Sequence, residues 1–465
     1  MYVRNDVRRD SRVLREARTL AAAGHHVTII GTTGPDDVDG DAEVRDGVTL
    51  RRVRPPAGRP LWTVWFGRPW RLYPYFARQF RRASLGQPRS VALAGLAAAT
   101  ALATLPWLAV RAVGRAATAA FAPSRRPPRG VRRWDDYLGW WMGALAGWHR
   151  RAVAAAPPAD VHHGHDFDAL PAAAAAARRD GSRYVYDSHE LFLDWRPQAQ
   201  QPWWLRAVIG AWERRLARHA AAVVTVNAEI AEVLARRFGV PLPLVVHNCP
   251  SIAELESVDA DEGRRHLMEA GVPSGVPVVL CHGSFQPGRG LEEVGRALLE
   301  PGLVHVHLVF LGYPLEYVAP IAAQPGLAGR VHLLPGVDPT VLLTWIAGAD
   351  VTVATYLPID RNHRLSTPNK LFESLAAGVP VVSSDFPARR RILLDDPLGP
   401  LGAVCDPTDP RAIAAAIRSI LELPPEERAA LRARCRRAAL ERWNWETEGA
   451  KLVALYERLE REGRR

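Results

Sequence analysis

Residues 11–31, SRVLREARTLAAAGHHVTIIG, put Val13, Leu14, Ala17, Leu20 and Ala21 on one face of a helix, stop at Gly24 and run on into the apolar composition of a buried strand. The alternation then repeats. ADVHHGHD, a helix from about Leu170, RYVYDSHE, a helix over WWLRAVIGAWERRLARHA, AAVVTVN, a helix over AEIAEVLARRFG and LPLVVHN follow in order. After Pro250 a polar linker, SIAELESVDADEGRRH, leads to a second series that begins at VPVVLCHGSF. It continues through VHLVFLG, RVHLLPG, DVTVATY, VPVVSSD and GAVCD, with helices between. Strands alternating with helices of this length predict parallel sheets covered on both faces. The chain therefore reads as α/β: two successive open sheets joined by a linker near residues 249–275. Ligands are expected at the carboxyl ends of the strands, and chemistry in the cleft between the halves.

Residues 55–157 break the pattern. Trp62, Trp65, Trp70, Trp134, Trp140 and Trp141 lie there among many arginines, around VALAGLAAATALATLPWLAV, residues 91–110, which carry no charge. About 20 apolar residues span a bilayer. This run is nearly half Ala or Gly and holds Pro106, so its transfer free energy is weak. A span, a helix or hairpin lying in the interface, and a packed helical insertion all stay open, while the Trp and Arg content suits an interfacial helix against anionic lipid. Residues 443–465 carry Trp445, Leu452, Leu455, Tyr456 and Leu459 and read as a packing helix. The expected domains are thus 1–248, with the insertion at about 55–157, then 249–442, then the closing helix 443–465.

At 465 residues the chain exceeds one ordinary core, which agrees with two domains of roughly 200 residues each. A net charge of +11 asks for an anionic partner: nucleic acid, an acidic membrane surface or phosphorylated ligands. The basic residues spread along the chain and concentrate in the Trp-rich insertion rather than in a reader motif, so nucleic acid is not expected. Cys249, Cys281, Cys405 and Cys435 show no paired spacing and read as packing residues in a reduced, cytoplasmic setting. The polar start MYVRNDVRRD has none of the character of a signal peptide.

Two stretches can hold an anion. In STPNKLFESLAAGVPVVSSD, residues 366–385, Ser366 or Thr367 can cap a helix, Pro368 fits its first turn and Gly378 closes it. The free N–H groups of that helix start and Lys370, one of only two lysines in the chain, make a cationic patch, with Glu373 one turn on able to accept from sugar hydroxyls. In CHGSFQPGRG, residues 281–290, a strand runs into a Gly/Pro loop and a helix, with Arg289 able to grip a diphosphate. Taken singly, a capped surface helix and a plain strand-to-helix turn account for both stretches.

Together they carry a resemblance. DSRVLREARTLAAAGHHVTIIG, ADVHHGHDFDALPAAAAAARRDGSRYVYDSHEL, VVHNCP and TPNKLFESLAAGVPVVSSD, in this order, resemble the retaining nucleotide-sugar glycosyltransferases of family four, over roughly 1–54 and 158–460. The resemblance implies the GT-B fold of two facing Rossmann-like domains, the first with the helical Trp/Arg-rich insertion. By position it implies that Arg289 and Lys370 neutralise the donor diphosphate and Glu373 binds its ribose. It also implies a donor site formed by Gly283, Ser284, Thr367, Asn369 and Leu371, with backbone at Leu334 to Val337 meeting the base. His165 would line the sugar and join Arg289 and Lys370 as a catalytic residue, while Asp6, Asp166, His189 and Glu190 would face the acceptor. Two departures stand out: Leu365 lies eight residues before Glu373 where many relatives have a second glutamate, and Gly283-Ser284 replaces a Gly-Arg pair. Only MYV precedes the loop that follows the family's first strand, so that strand reads as clipped, a misassigned start codon being one explanation.

Asp166-Phe167-Asp168 imitates an Asp-x-Asp metal motif, but it sits at a strand end in a two-Rossmann pattern, so no metal is expected. His189 and Glu190 fit a structural pair at a strand end better than an acid/base couple, and His25 belongs to a helix-to-strand turn. The expected protein is an enzyme without cofactor, moving a sugar from a nucleoside diphosphate to a lipid-linked or cell-envelope glycan. It would work in the cytoplasm against the inner face of the plasma membrane, which it would meet through residues of about 60–150. A sugar-nucleotide epimerase of the same fold and a membrane scaffold with a vestigial nucleotide pocket are the alternatives.

Overall fold

In the computed structural model the described residues are 1–8, 10–34, 42–54, 147–195, 199, 201 and 203–463. Contacts divide the chain into a unit of Met1–Val53 with Ala152–Arg465 and a unit of Arg54–Arg151. In the second unit the described residues are 54 and 147–151, where Arg151 Nη1 donates to the Arg54 carbonyl at 3.1 Å. The uncharged run at 91–110, and most of the segment expected to meet a membrane, lie outside the described residues. Among the described residues no helix is long and apolar enough to cross a membrane.

The first half of the larger unit is built on β1 (Val27–Thr32), β2 (Ala42–Arg45), β3 (Val48–Val53), β4 (Val161–His165), β5 (Arg183–Ser188), β6 (Ala222–Thr225) and β7 (Leu244–Val245). β4 to β7 are parallel and adjacent in chain order, and β1 pairs with β3, which carries β2 antiparallel at its edge. Asp46 and Gly47 turn that last hairpin with φ of 52° and 75°, the positive pair that a two-residue hairpin turn demands. Met1–Val3 lie between β1 and β4. The Tyr2 amide donates to the His163 carbonyl at 2.7 Å, and the His165 amide donates to the Tyr2 carbonyl at 3.0 Å. The Val3 amide donates to Ile30 at 3.1 Å, and the Ile30 amide donates to Met1 at 2.8 Å. Met1–Val3 thus bond to both β1 and β4.

The second half is one parallel sheet of β8 (Val278–Ser284), β9 (His307–Tyr313), β10 (Val331–Pro335), β11 (Val351–Ala354), β12 (Val381–Ser384) and β13 (Gly402–Cys405). Its strand order is β10-β9-β8-β11-β12-β13. The order reverses between β8 and β11, so the loops leaving those two strands diverge and open a crevice at their carboxyl ends. Val279, Leu280, Val309, Phe310, Val353, Val381 and Val382 are fully or nearly fully buried between the helical layers. This is why each of these strands reads as a continuous apolar run rather than an alternation. All four cysteines are buried free thiols.

The chain crosses between the halves twice. The first crossing, at Pro250, was legible; the second was not. The helix Trp445–Gly463 returns to the first half, where Trp445, Leu452, Leu455, Tyr456 and Leu459 join a core with Val13, Ala17, Leu20, Ile29 and Val185. Trp445 Nε1 donates to Thr19 Oγ1 at 2.7 Å, and the Tyr456 hydroxyl shares a 2.9 Å hydrogen bond with His163 Nδ1. At the crossing points the Trp445 amide donates to the Pro250 carbonyl at 2.9 Å.

The helix Trp203–His219 turns Leu205, Ile209, Glu213 and Ala217 inward, one per turn. Glu213 is 1% exposed and accepts from the Tyr186 hydroxyl at 2.8 Å. Burial pushes its carboxyl up from 4.5 to about 7. The folded protein thus keeps a proton that the unfolded chain loses near pH 4.5, and stability from this site is full below that value and falls as pH rises to about 7. The whole fall is ~3 kcal/mol, at 1.36 kcal/mol per pH unit. Glu213→Gln should therefore be less pH-sensitive, its denaturant midpoint moving less than the wild-type midpoint between pH 5 and pH 8.

Candidate active site

A cavity of about 600 Å³ lies where the two halves meet the crevice of the second sheet. The first half contributes Asn5, Asp6, Asp10, Ser11 and Arg12 from the loop into the first helix, and His189, Glu190 and Trp195 from the loop after β5. The second half contributes His282, Gly283 and Ser284 from the end of β8, Arg289 from the following loop, Tyr356 just after β11, and Thr367, Pro368, Asn369, Lys370 and Glu373.

The helix that bears Lys370 runs Asn369–Ala376, and its start faces the cavity. Its capping differs from the expectation. Pro368 stands outside the helix as the N-cap, and no side chain caps it. Ser366 instead ends the preceding helix Arg361–Leu365, and Thr367 Oγ1 accepts from Asn227 Nδ2 at 2.9 Å. The first N–H groups of the helix are thus left without a side-chain cap. The Lys370 ammonium donates to the His282 carbonyl. Gly283 takes φ +86°, and a Cβ there would lie 3.2 Å from Lys370 Nζ, so glycine both permits the turn and admits the lysine. Glu373 accepts from His282 Nε2 at 2.9 Å. Burial works against ionisation of Glu373, but the bond to His282 and the charge of Lys370 outweigh it and hold its carboxyl below the usual range.

Arg289 is held by an aromatic ring. Its guanidinium carbon lies 4.1 Å from the Tyr356 centroid, and the same ring takes the Arg389 guanidinium at 4.7 Å. Arg389 is fully buried and has neutral partners: the carbonyls of His363 at 3.0 Å and Ser366 at 3.2 Å, and Ser384 Oγ at 2.9 Å. Burial lowers its pKa to about 9, still charged at neutral pH. It ties the end of the helix Arg361–Leu365 to β12 and so sets the backbone that leads to Thr367 and Lys370.

The first-half wall rests on a buried charge network centred on Asp187. Arg12 reaches Asp187 with Nε and Nη2, both at 2.9 Å, and donates through Nη1 to the Val246 carbonyl at 2.6 Å. His189 donates from Nε2 to Asp187 at 2.8 Å and faces Asp166 with Nδ1 at 3.2 Å. Both ring nitrogens meet carboxylates, which only accept, so the ring is an imidazolium. Burial opposes that charge, but Asp166 and Asp187 raise its pKa well above the ordinary histidine value. Glu190, next along the wall, is pushed up to about 7 by burial and by Asp166.

Glu16, His163, His165 and Asp187 bring one ligand-type atom each within 4.8 Å of one another. However, the Asp187 oxygens already take Arg12, His165 and His189, and Arg12 Nε stands 3.0 Å from Glu16. A cation there would meet two fixed positive charges, so the group suits an ion network better than a metal centre.

Of the residues expected at the site, Asp6, His189, Glu190, Gly283, Ser284, Arg289, Thr367, Asn369, Lys370 and Glu373 share this cavity wall. Five do not. His165, expected against the sugar, is 1% exposed: it stacks on His163 at 4.5 Å, and its Nδ1 lies 3.2 Å from Asp187, its register partner on β5. Asp166 spends its carboxylate on the amide and ring of His189. The Leu371 side chain is fully buried in the second core, and the backbone from Leu334 to Val337, expected at the base, is not part of this cavity wall. Arg12, Asp187, His282, Tyr356 and Arg389 were not singled out. Asp187 and His282 stood inside quoted motifs, DSHEL and CHGSF, whereas Arg389 had no local signal.

Residues 276–423 match the family model described as Glycosyl transferases group 1, and residues 107–250 match that described as Glycosyltransferase Family 4. The chain is 28% identical over 308 residues to the GDP-mannose-dependent alpha-(1-6)-phosphatidylinositol monomannoside mannosyltransferase of Mycolicibacterium smegmatis, covering 63% of this chain and 76% of that one. It is 33% identical over 212 residues to the D-inositol 3-phosphate glycosyltransferase of Thermobispora bispora, covering 43% of this chain and 46% of that one. Among solved structures, sucrose-phosphate synthase from Thermosynechococcus elongatus superposes with a TM-score of 0.63 at 17% identity, over 96% of this chain and 92% of that one.

Proposed function

The chain belongs to the family-four, group 1 glycosyltransferases and has their GT-B fold, and we propose that within that family it moves a sugar from a nucleoside diphosphate to a lipid-linked or cell-envelope glycan acceptor, with retention. The observation that carries this reading is the meeting of Arg289, Lys370 and the start of the helix Asn369–Ala376 on one cavity wall, with Glu373 one turn on. That wall suits a diphosphate and a ribose. The other wall, with Asp6, His189 and Glu190, suits the hydroxyls of an acceptor.

As the bond from the anomeric carbon to the diphosphate oxygen breaks, negative charge grows on the leaving group. Arg289 and Lys370 oppose it from fixed positions, in a site where reorganisation is small. The acceptor oxygen bonds to that carbon on the face the diphosphate leaves, and its proton passes to a phosphate oxygen of the leaving group. In this reading the protein's own cations, without a metal or cofactor, neutralise the diphosphate.

GDP-mannose and an acceptor bearing an inositol phosphate are the first pair to try, because one relative is named for GDP-mannose and phosphatidylinositol monomannoside and the other for D-inositol 3-phosphate. The acceptor would bring the enzyme to the inner face of the plasma membrane. Thermal denaturation with GDP, UDP and ADP tests the donor: the right nucleotide at 100 times its dissociation constant stabilises by about 2.7 kcal/mol. GDP is expected to raise the midpoint, and GDP-mannose with phosphatidylinositol to give a mannolipid. An epimerised sugar nucleotide formed without acceptor would overturn the transfer reading in favour of isomerisation. Binding without turnover on any acceptor would favour a scaffold.

A further inference from the structure

The helix Trp203–His219 has an outer face that no catalytic argument uses. Trp203 is 80% exposed, Val208 63% and Trp212 37%. With Ala207 and Ala211, also exposed, they make the outer face of the first ten residues apolar. The same face then turns basic, with Arg215 and Arg218 exposed in the last two turns. The helix has one acid, Glu213, and it points inward. Tryptophan rings followed by arginines, with no outward carboxylate, are the arrangement of an interfacial helix: the rings sit at headgroup level and the guanidiniums meet lipid phosphates.

The face leads to the cavity. Trp212 meets Phe167 edge-on at 5.4 Å, Phe167 tilts against Phe192 at 4.9 Å, and the turn Phe192–Asp194 delivers Trp195, 39% exposed, to the cavity wall. Arg206 Nη2, from the helix, donates to the Leu193 carbonyl at 3.4 Å and fixes that turn to it. We infer that the outer face of Trp203–His219 docks on an anionic lipid bilayer, setting the mouth of the cavity at Trp195 toward the headgroups. The chain's charge of +11 matches such a surface. This goes beyond the reaction proposed above and does not depend on it, since docking needs no donor.

The test is co-sedimentation of the full-length protein with vesicles of phosphatidylcholine alone and of phosphatidylcholine with phosphatidylglycerol. Wild type should bind the mixed vesicles, and less so as salt rises. Trp203→Ser with Val208→Ser should lower that binding at least ~10-fold at an unchanged melting temperature, because both side chains are exposed. Arg215→Gln with Arg218→Gln should lower binding to the mixed vesicles alone. Wild-type-like binding by the Trp203/Val208 variant would overturn the proposal and move the membrane contact elsewhere in the chain. So would absence of binding by wild type. A lower melting temperature in the same variant would also overturn it, since the face would then be covered by protein.

Discussion

Arg289→Ala should lower turnover of the nucleotide sugar by about 100-fold, the usual effect of removing one fixed donor from developing oxyanion charge. Lys370→Ala should cost at least ~10-fold, or about 1.4 kcal/mol of transition-state stabilisation. The two differ because the Arg289 fork, 4.1 Å from the Tyr356 centroid, can pair with two diphosphate oxygens, whereas Lys370 offers a single point charge. Arg289→Lys should rescue little, since an ammonium lacks the planar fork that pairs with a diphosphate. Steady-state turnover with the donor identified by thermal shift, at saturating acceptor, measures both. Unchanged turnover in Arg289→Ala and Lys370→Ala would remove the diphosphate from this wall.

Arg12→Ala should destabilise the protein by about 3–5 kcal/mol, the cost of leaving one partner of a buried ion pair alone. Asp187 has no exposed surface and would lose two 2.9 Å bonds from the guanidinium. Its remaining partners, His165 and His189, lie on β4 and just beyond β5, so the wall that carries His189 and Glu190 would loosen as well. Urea denaturation followed by tryptophan fluorescence reads the loss. Arg12→Met tests whether packing along the stem suffices; stability equal to wild type would show that the charge of Asp187 is satisfied without Arg12.

Most strands and helices of both halves were legible because each is encoded locally, as a 3.6-residue face or an apolar run; the exceptions are the hairpin β2–β3 and the stretch expected to be a polar linker, which folds into the helices Ile252–Glu256 and Ala260–Glu269 with Leu255 and Leu267 fully buried. The same holds for Lys370 and Glu373, whose motif places them on the helix Asn369–Ala376, and for Arg289, whose motif places it in the loop between β8 and the next helix. What stayed hidden depends on residues far apart in the chain. Arg12 and Asp187 lie 175 positions apart, and neither stretch announces the other. Arg389 is buried against carbonyls of His363 and Ser366, acceptors that every sequence possesses. His165 was placed correctly at the end of β4, yet the aim of its ring is set by the register of β4 on β5, which brings Asp187 opposite. The helix Trp445–Gly463 shows its apolar face plainly, but not which half it covers.

The return of that helix has a mechanical meaning. Two passages of chain join the halves, and the Trp445 amide bonded to the Pro250 carbonyl at 2.9 Å fastens them together at one point. The Ile252 amide donates to Glu446 at 2.9 Å and the His247 amide to Glu448 at 3.0 Å, so the passages are clamped on both sides of it. The two passages are thus cross-linked to each other, and three hydrogen bonds would have to break before either could move independently of the other.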